Sequence, residues 1–340
     1  MKTKNYKLKI LSLLFSWLIL TIFAGFVGCC PCPPKNVSMD DPESNTAAGY
    51  DLSNDSKFIV LSSSQSGKGK NNRAAYSLDG ISWTRARIDV ANWKSACYAE
   101  GKFVAVASKP ETVLYSADGV TWKLAKVPVT APWNSVCFGK GKFVAIAYRG
   151  KAIYSDDGIN WKDTKLPNEE SWINVCFGKG KFVAIARRSD KAAYSEDGKT
   201  WVETSMPRKS RWKNLCFGNG KFVTIAENNA RAAYSEDGIT WAEVEMPRRG
   251  WNDVCFGNDK FIALAGNESG VAAYSEDGIK WEETAMPSSS NWHRITYGGD
   301  KFVAVTNGDY LAAYSRDGIE WFQAELPRHA SWEAICYGGK

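Results

Sequence analysis

Histidine is nearly absent: His293 and His329 are the two in 340 residues. Neither stands at ligand spacing from cysteine or from the other, so no metal site and no other cofactor is expected. There is no nucleophile elbow, no His-Glu-x-x-His and no phosphate-binding glycine loop. No window carries a 3.6-residue apolar period, which excludes a helical solenoid. Net charge is also scarce. The formal +6 of the whole chain falls to +2 without Lys2, Lys4, Lys7 and Lys9, because residues 29–340 hold 39 basic and 37 acidic side chains. A nearly neutral chain has no general electrostatic attraction for nucleic acid, and none is expected as a partner.

Tryptophan, by contrast, is abundant, with 15 copies, and all but Trp17 fall into two repeated phrases. Tyr-Ser-x-Asp-Gly-x-x-Trp begins at Tyr76, Tyr115, Tyr154, Tyr194, Tyr234, Tyr274 and Tyr314. A second set, Trp93, Trp133, Trp172, Trp212, Trp251, Trp292 and Trp332, opens segments that lead to an apolar residue, a cysteine (Thr296 after Trp292) and an aromatic. Between them lie Lys-Phe segments of alternating apolar residues. Residues 251–286 serve as the template: WNDVCFG, KFIALAG, VAAYS and IKWEETAM each have strand composition, separated by Gly-, Asn- and Asp-rich turns, with Pro287 ending the last. Four short antiparallel strands every ~40 residues is the pattern of a propeller blade. Seven copies predict an all-β, seven-bladed β-propeller over residues 57–340. The first ordered segment is a second strand and the last, Trp332–Gly338, is a first strand. Their pairing in one blade would close the ring and leave no open edge.

The N-terminus reads as an export signal. Four lysines precede the uncharged apolar run 10–27, and Gly28 and Cys29 follow. Phe26-Val27-Gly28-Cys29 resembles a bacterial lipobox. The resemblance implies that residues 1–28 are a signal peptide and that Cys29 is the lipidated first residue; residues 29–56, rich in Pro, Asn, Ser and Asp, read as a flexible tether. The alternative is an uncleaved signal anchor. Either reading places the C-terminal domain outside the cytoplasm; a lipid-anchored bacterial envelope protein is expected, facing the periplasm or the exterior.

The Tyr-Ser-x-Asp-Gly-x-x-Trp phrase resembles the Asp-box of sialidase-like propellers, over residues 57–340. It lacks one residue of that box between Asp and Gly. The resemblance implies a structural turn, and the chemistry agrees: Asp accepts neighbouring backbone N–H bonds, and Gly supplies positive φ. Six cysteines, Cys97, Cys137, Cys176, Cys216, Cys255 and Cys336, share one repeat position on the innermost strand. Packed sheets lie ~10 Å apart, whereas a disulfide needs Cα atoms within about 7 Å, so buried thiols are expected.

The family resemblance raises a sialidase-like exported glycosidase as the alternative function. The early Arg-Ile-Pro or Arg-Leu-Pro signature of that family is missing, and no blade carries a long insertion, so no catalytic residue is assigned. The reading favoured here is a non-catalytic, monomeric binding or scaffold propeller for an envelope protein or glycan. The turns on one face are near copies, while the second-to-third and fourth-to-first connections vary, and variable loops are where a partner can be read. Those connections are basic in the middle repeats: Arg149, Lys151, Arg187, Arg188, Lys191, Arg208, Arg211, Arg231, Arg248 and Arg249 are candidate contacts for an anionic partner. Trp172, Trp212 and Trp251, near the channel mouth, are candidate stacking platforms.

Overall fold

The computed structural model describes residues 55–63, 73–227, 229–248, 250–267 and 269–339. The proposed signal, Cys29, most of the tether and Arg249 lie outside them. Among the described residues no helix is long and apolar enough to cross a membrane.

Each repeat forms antiparallel strands in simple order. In the template these are Trp251–Gly257, Lys260–Ala265, Val271–Ser275 and Glu282–Ala285. The first hairpin is closed by Asn258 and Asp259, both at positive φ (42° and 57°). Two consecutive positive-φ residues make the turn whose twist matches paired strands, and Asn and Asp tolerate it. The second strand, Phe261 to Ala265, is wholly buried, because neighbouring sheets cover both its faces. The fourth is largely exposed. Burial therefore runs as a radial gradient from the outer edge inward.

The Asp-Gly turn is built by its own side chains. Ser275 Oγ donates to Asp277 Oδ1 (3.1 Å) and accepts from Gly278 N–H (2.9 Å). Ile279 and Lys280 N–H both donate to Asp277 Oδ1 at 2.8 Å. Burial opposes ionisation of Asp277, but these N–H groups outweigh it and hold the carboxyl below its ordinary range. Gly278 sits at φ 74°, and a Cβ there would lie 2.7 Å from Val223 of the neighbouring repeat.

The expectation of seven separate blades is corrected. The strands form six hydrogen-bonded sheets, five of four strands and one of six; counted as sheets, the propeller has six blades. The cause is one long strand, Phe322–Gly338. Its start pairs with Lys301–Ser315, with Leu311 opposite Glu325. Its end pairs with Lys57–Ser63, with Lys57 opposite Gly338 and Cys336 opposite Ile59. Ser331 lies opposite both Asn307 and Ser63, so the ladder crosses from the sixth repeat to the seventh unbroken. Pro327, at the repeat position where a strand was expected to stop, lies inside this strand; the register skips from Glu325 to Ala330 around it.

Candidate functional site

The strand-opening tryptophans are packing residues. Trp172, Trp212 and Trp251 have no exposed surface. Their indole N–H groups donate to the carbonyls of Asn168 (3.0 Å), Arg208 (3.3 Å) and Arg248 (2.7 Å), fastening the preceding connection over each sheet. A ring with no exposed face cannot stack on a ligand, so these residues are not platforms.

The basic rim is largely balanced by acids. Lys191 pairs with Glu203 (2.5 Å), Arg208 with Glu243 (3.0 Å) and Arg248 with Glu283 (2.5 Å). Arg231 also contacts Glu243, and Arg187 contacts Glu227. Glu203, Glu243 and Glu283 stand 40 residues apart, each two places after a tryptophan. Arg208 and Arg248 reach forward to the glutamate of the next sheet. Among the described residues, no ion pair involves Arg149, Lys151, Arg188 or Arg211. The first three are exposed, and the tight turns at Arg149 and Arg188 hold positive φ (58° and 59°).

A site missed in the sequence lies deeper, in the central channel. After each strand-opening tryptophan the register slips, for example between Trp212 and Asn214 and between Trp292 and Arg294. A bulge of this kind sets two residues opposite one and re-aims side chains. The residues following the tryptophan therefore line the channel, both of them in every repeat but the one opened by Trp251, where Asp253 does. Lys94, Asn134, Lys213, Asn214, Asp253, His293, Arg294 and Glu333 surround a cavity of about 310 Å³. Tyr148, Arg187 and Glu227, at the ends of second strands, complete it and link it to the variable connections.

At the other end of the first strands, aromatic rings pack between neighbouring sheets. Phe177, Phe217, Phe256, Tyr297, Tyr337 and Tyr98 each lie over a glycine of the adjacent first strand; a Cβ at Gly218 would sit 1.9 Å from Phe256. Tyr148, Arg187 and Glu227 put the cavity on the variable face.

Its charges are strongly coupled. Glu333 accepts from Asn307 Nδ2 (3.0 Å) and contacts His293 Nε2 (3.2 Å), Arg294 (3.7 Å) and Lys94 (3.7 Å). Burial would raise its pKa, but the His293 hydrogen bond and the nearby cations bring it down to about 2. Burial, helped by Arg294, lowers His293 to about 4, so at neutral pH the ring is uncharged. An ionised carboxylate only accepts, so His293 Nε2–H is the donor in that pair. Asp253 accepts from Val254 N–H (2.9 Å), Ile295 N–H (2.9 Å) and Asn214 Nδ2. Burial nevertheless pushes it up to about 6, against the pull of Arg294 and Lys213. Lys213 donates to Asn252 Oδ1 (3.0 Å) and Glu227 Oε1 (3.3 Å); burial lowers its pKa, and the like charge of Arg294 contributes.

No protein-family model matches this sequence, and no curated protein does either. Similarity in fold is extensive. The virginiamycin B lyase of Staphylococcus aureus superposes with a TM-score of 0.62 at 14% identity, covering 70% of this chain and 85% of that one. A 6-phosphogluconolactonase-like protein of Bacteroides fragilis gives 0.64 at 10% identity, with 85% and 100% covered. YCF48, solved bound to a D1 peptide, gives 0.58 at 17% identity, with 82% and 89% covered. These likenesses establish a β-propeller of repeated blades.

Proposed function

We propose that this chain is a non-catalytic binding or scaffold propeller that takes a protein or glycan on its variable face, around the channel mouth. The polar cavity carries the reading, because its walls run into the variable connections through Tyr148, Arg187 and Glu227. Its carboxylates are held by wall donors, Glu333 by side chains and Asp253 mainly by backbone N–H groups. That arrangement suits a preformed recognition surface. The complex of YCF48 with a D1 peptide supplies a propeller of similar fold that holds a peptide. Export and lipidation at Cys29 complete the proposal, placing a monomeric propeller at the bacterial envelope on the 29–56 tether.

The test is a glycan and peptide array probed with the purified protein. A ligand should be retained, and binding should weaken with salt as exposed charges are screened over about 10 Å at 0.1 M. Changing Arg149, Lys151 and Arg188 to Ser should weaken an anionic ligand without lowering the melting temperature, since exposed charges contribute little to folding. Turnover of an arrayed glycan, or no retained ligand, would sink the reading. Palmitate-analogue labelling should disappear in Cys29→Ser; equal labelling in both proteins would remove the anchor.

A further inference from the structure

The cavity's donors outnumber the acceptors that meet them. Lys94, Arg187, Lys213 and Arg294 face it, against the carboxylates Glu227, Asp253 and Glu333. Lys94 has its carboxylate contact at 3.7 Å, beyond hydrogen-bond distance. Lys213 places two bonds, leaving one of an ammonium's three donors. Arg187 Nε is buried and, like Asn174 Oδ1 in the same wall, has no hydrogen-bond partner. Buried polar groups without partners are rare and call for an explanation.

Arg294 indicates which anion fits. Its Nε donates to the Glu333 carbonyl at 2.8 Å and its Nη1 to the His293 carbonyl at 3.2 Å. The side-on fork that clasps a planar carboxylate needs the Nε–H, which is already spent. Arg294 is left to act through charge, its Nη2 donors and the second Nη1 hydrogen. Lys94 and Arg294 both approach Glu333 Oε2, and Lys213 feels the charge of Arg294. Lys94, Lys213 and Arg294 line the one cavity from separate strands, and two of them are lysine, which binds phosphate as a point charge. A tetrahedral oxyanion can accept from several directions at once. At about 310 Å³ the cavity lies at the small end of ligand pockets, large enough for a single sugar ring.

We infer that the channel cavity binds a phosphate or sulfate monoester of about one sugar ring, with Lys94, Lys213 and Arg294 around the oxyanion. The inference rests on the reading of this face as a recognition surface and names the ligand of its deepest part. It carries a pH dependence. Asp253 is faced by Lys213 and Asn214 from one neighbouring strand and by Arg294 and Ile295 N–H from the other. When it takes up a proton, an anion competitor for those cations is lost.

Titration calorimetry on the full chain tests this with glucose 6-sulfate, glucose 6-phosphate, inorganic phosphate and glucose. Both esters should bind and glucose should not. Inorganic phosphate binding as tightly as the esters would overturn the sugar-ring component and leave a bare oxyanion site. Lys94→Gln, at a half-buried position with no short contact, should weaken glucose 6-sulfate by about threefold or more, and Lys213→Met by more, as expected for one lost charge near an anion at intermediate dielectric. Binding of the sulfate, which does not titrate here, should tighten as pH falls from 7.5 to 5.5. Absence of saturable binding by either ester, or affinity indifferent to both lysine changes, overturns the inference. If array ligands sensitive to Arg149 and Arg188 persist in that case, the partner-binding reading survives and the oxyanion site alone fails.

Discussion

The coupled charges of the cavity make a prediction in which two single substitutions tilt stability in opposite directions. His293 and Asp253 are both buried (8% and 3% exposed). His293 goes from its ordinary 6.5 to about 4 on folding. Between those values the unfolded chain holds a proton the folded chain lacks, so stability falls as pH drops through the window. Asp253 goes from 3.8 to about 6. Between those values the folded chain holds the extra proton, so stability rises as pH drops. A tenfold change in proton affinity is worth about 1.4 kcal/mol, so each group accounts for about 3 kcal/mol across its window. The two nearly cancel between pH 6 and 4.5. Asp253→Asn leaves His293 unopposed: relative to wild type, the variant should lose stability progressively as pH falls from 6.5 toward 4, with a slope approaching about 1.4 kcal/mol per pH unit. His293→Gln should show the opposite slope. Denaturant unfolding followed by tryptophan fluorescence from pH 7.5 to 4.5 measures both. Each profile is read as a difference from wild type, which removes the Asp-Gly turn carboxylates common to all three proteins. The prediction concerns slopes, so it stands whatever each substitution costs at neutral pH. Parallel curves for the three proteins would refute the assignment of these two groups as buried and oppositely shifted.

Three further outcomes follow from packing. Gly218→Ala drives a methyl to 1.9 Å from the Phe256 ring and should cost about 3 kcal/mol, partly recovered by adding Phe256→Leu; a melting temperature equal to wild type would show that the aromatic ring yields freely. Deleting residues 331–340 takes the C-terminal partner from Lys57–Ser63 and bares a sheet edge, so the product should aggregate; a monomer with unchanged melting temperature would contradict the paired seam. Cys97, Cys137, Cys176, Cys216, Cys255 and Cys336 are buried thiols; they should resist alkylation in the native protein and all react on denaturation without reductant, and fewer than six labelled domain cysteines would reveal disulfides.

The rim and the channel differ in how far they could be read from the chain. The basic connections were visible because arginines cluster there, but the glutamates that answer them, Glu203, Glu243 and Glu283, lie in exposed fourth strands where acids look unremarkable. Their pairing depends on the distance between one connection and the next sheet. The channel residues do carry a signal in the chain. The two places after each strand-opening tryptophan hold Lys-Ser, Asn-Ser, Ile-Asn, Lys-Asn, Asn-Asp, His-Arg and Glu-Ala. Within otherwise regular strands, that is where the repeats disagree most.

The sequence by itself determined what contiguous residues can encode. Alternating apolar residues set the strands, Asn-Asp and Gly-containing pairs set the hairpins, and Ser-x-Asp-Gly closed its own turn through bonds spanning two or three residues. Tertiary structure alone decided the rest. Six sheets arise from seven repeats because the ladder continues through Ser331, and that continuity depends on Asn307 and Ser63 meeting one residue from opposite sides. The bulge after each tryptophan, a property of the pairing register, turns the side chains that follow it toward the channel. Lys94, Lys213, Asp253, His293, Arg294 and Glu333 come from five strands far apart along the chain, and only the arrangement of blades around one axis brings their charges together. Their pKa values follow from the burial and the neighbours that this convergence creates.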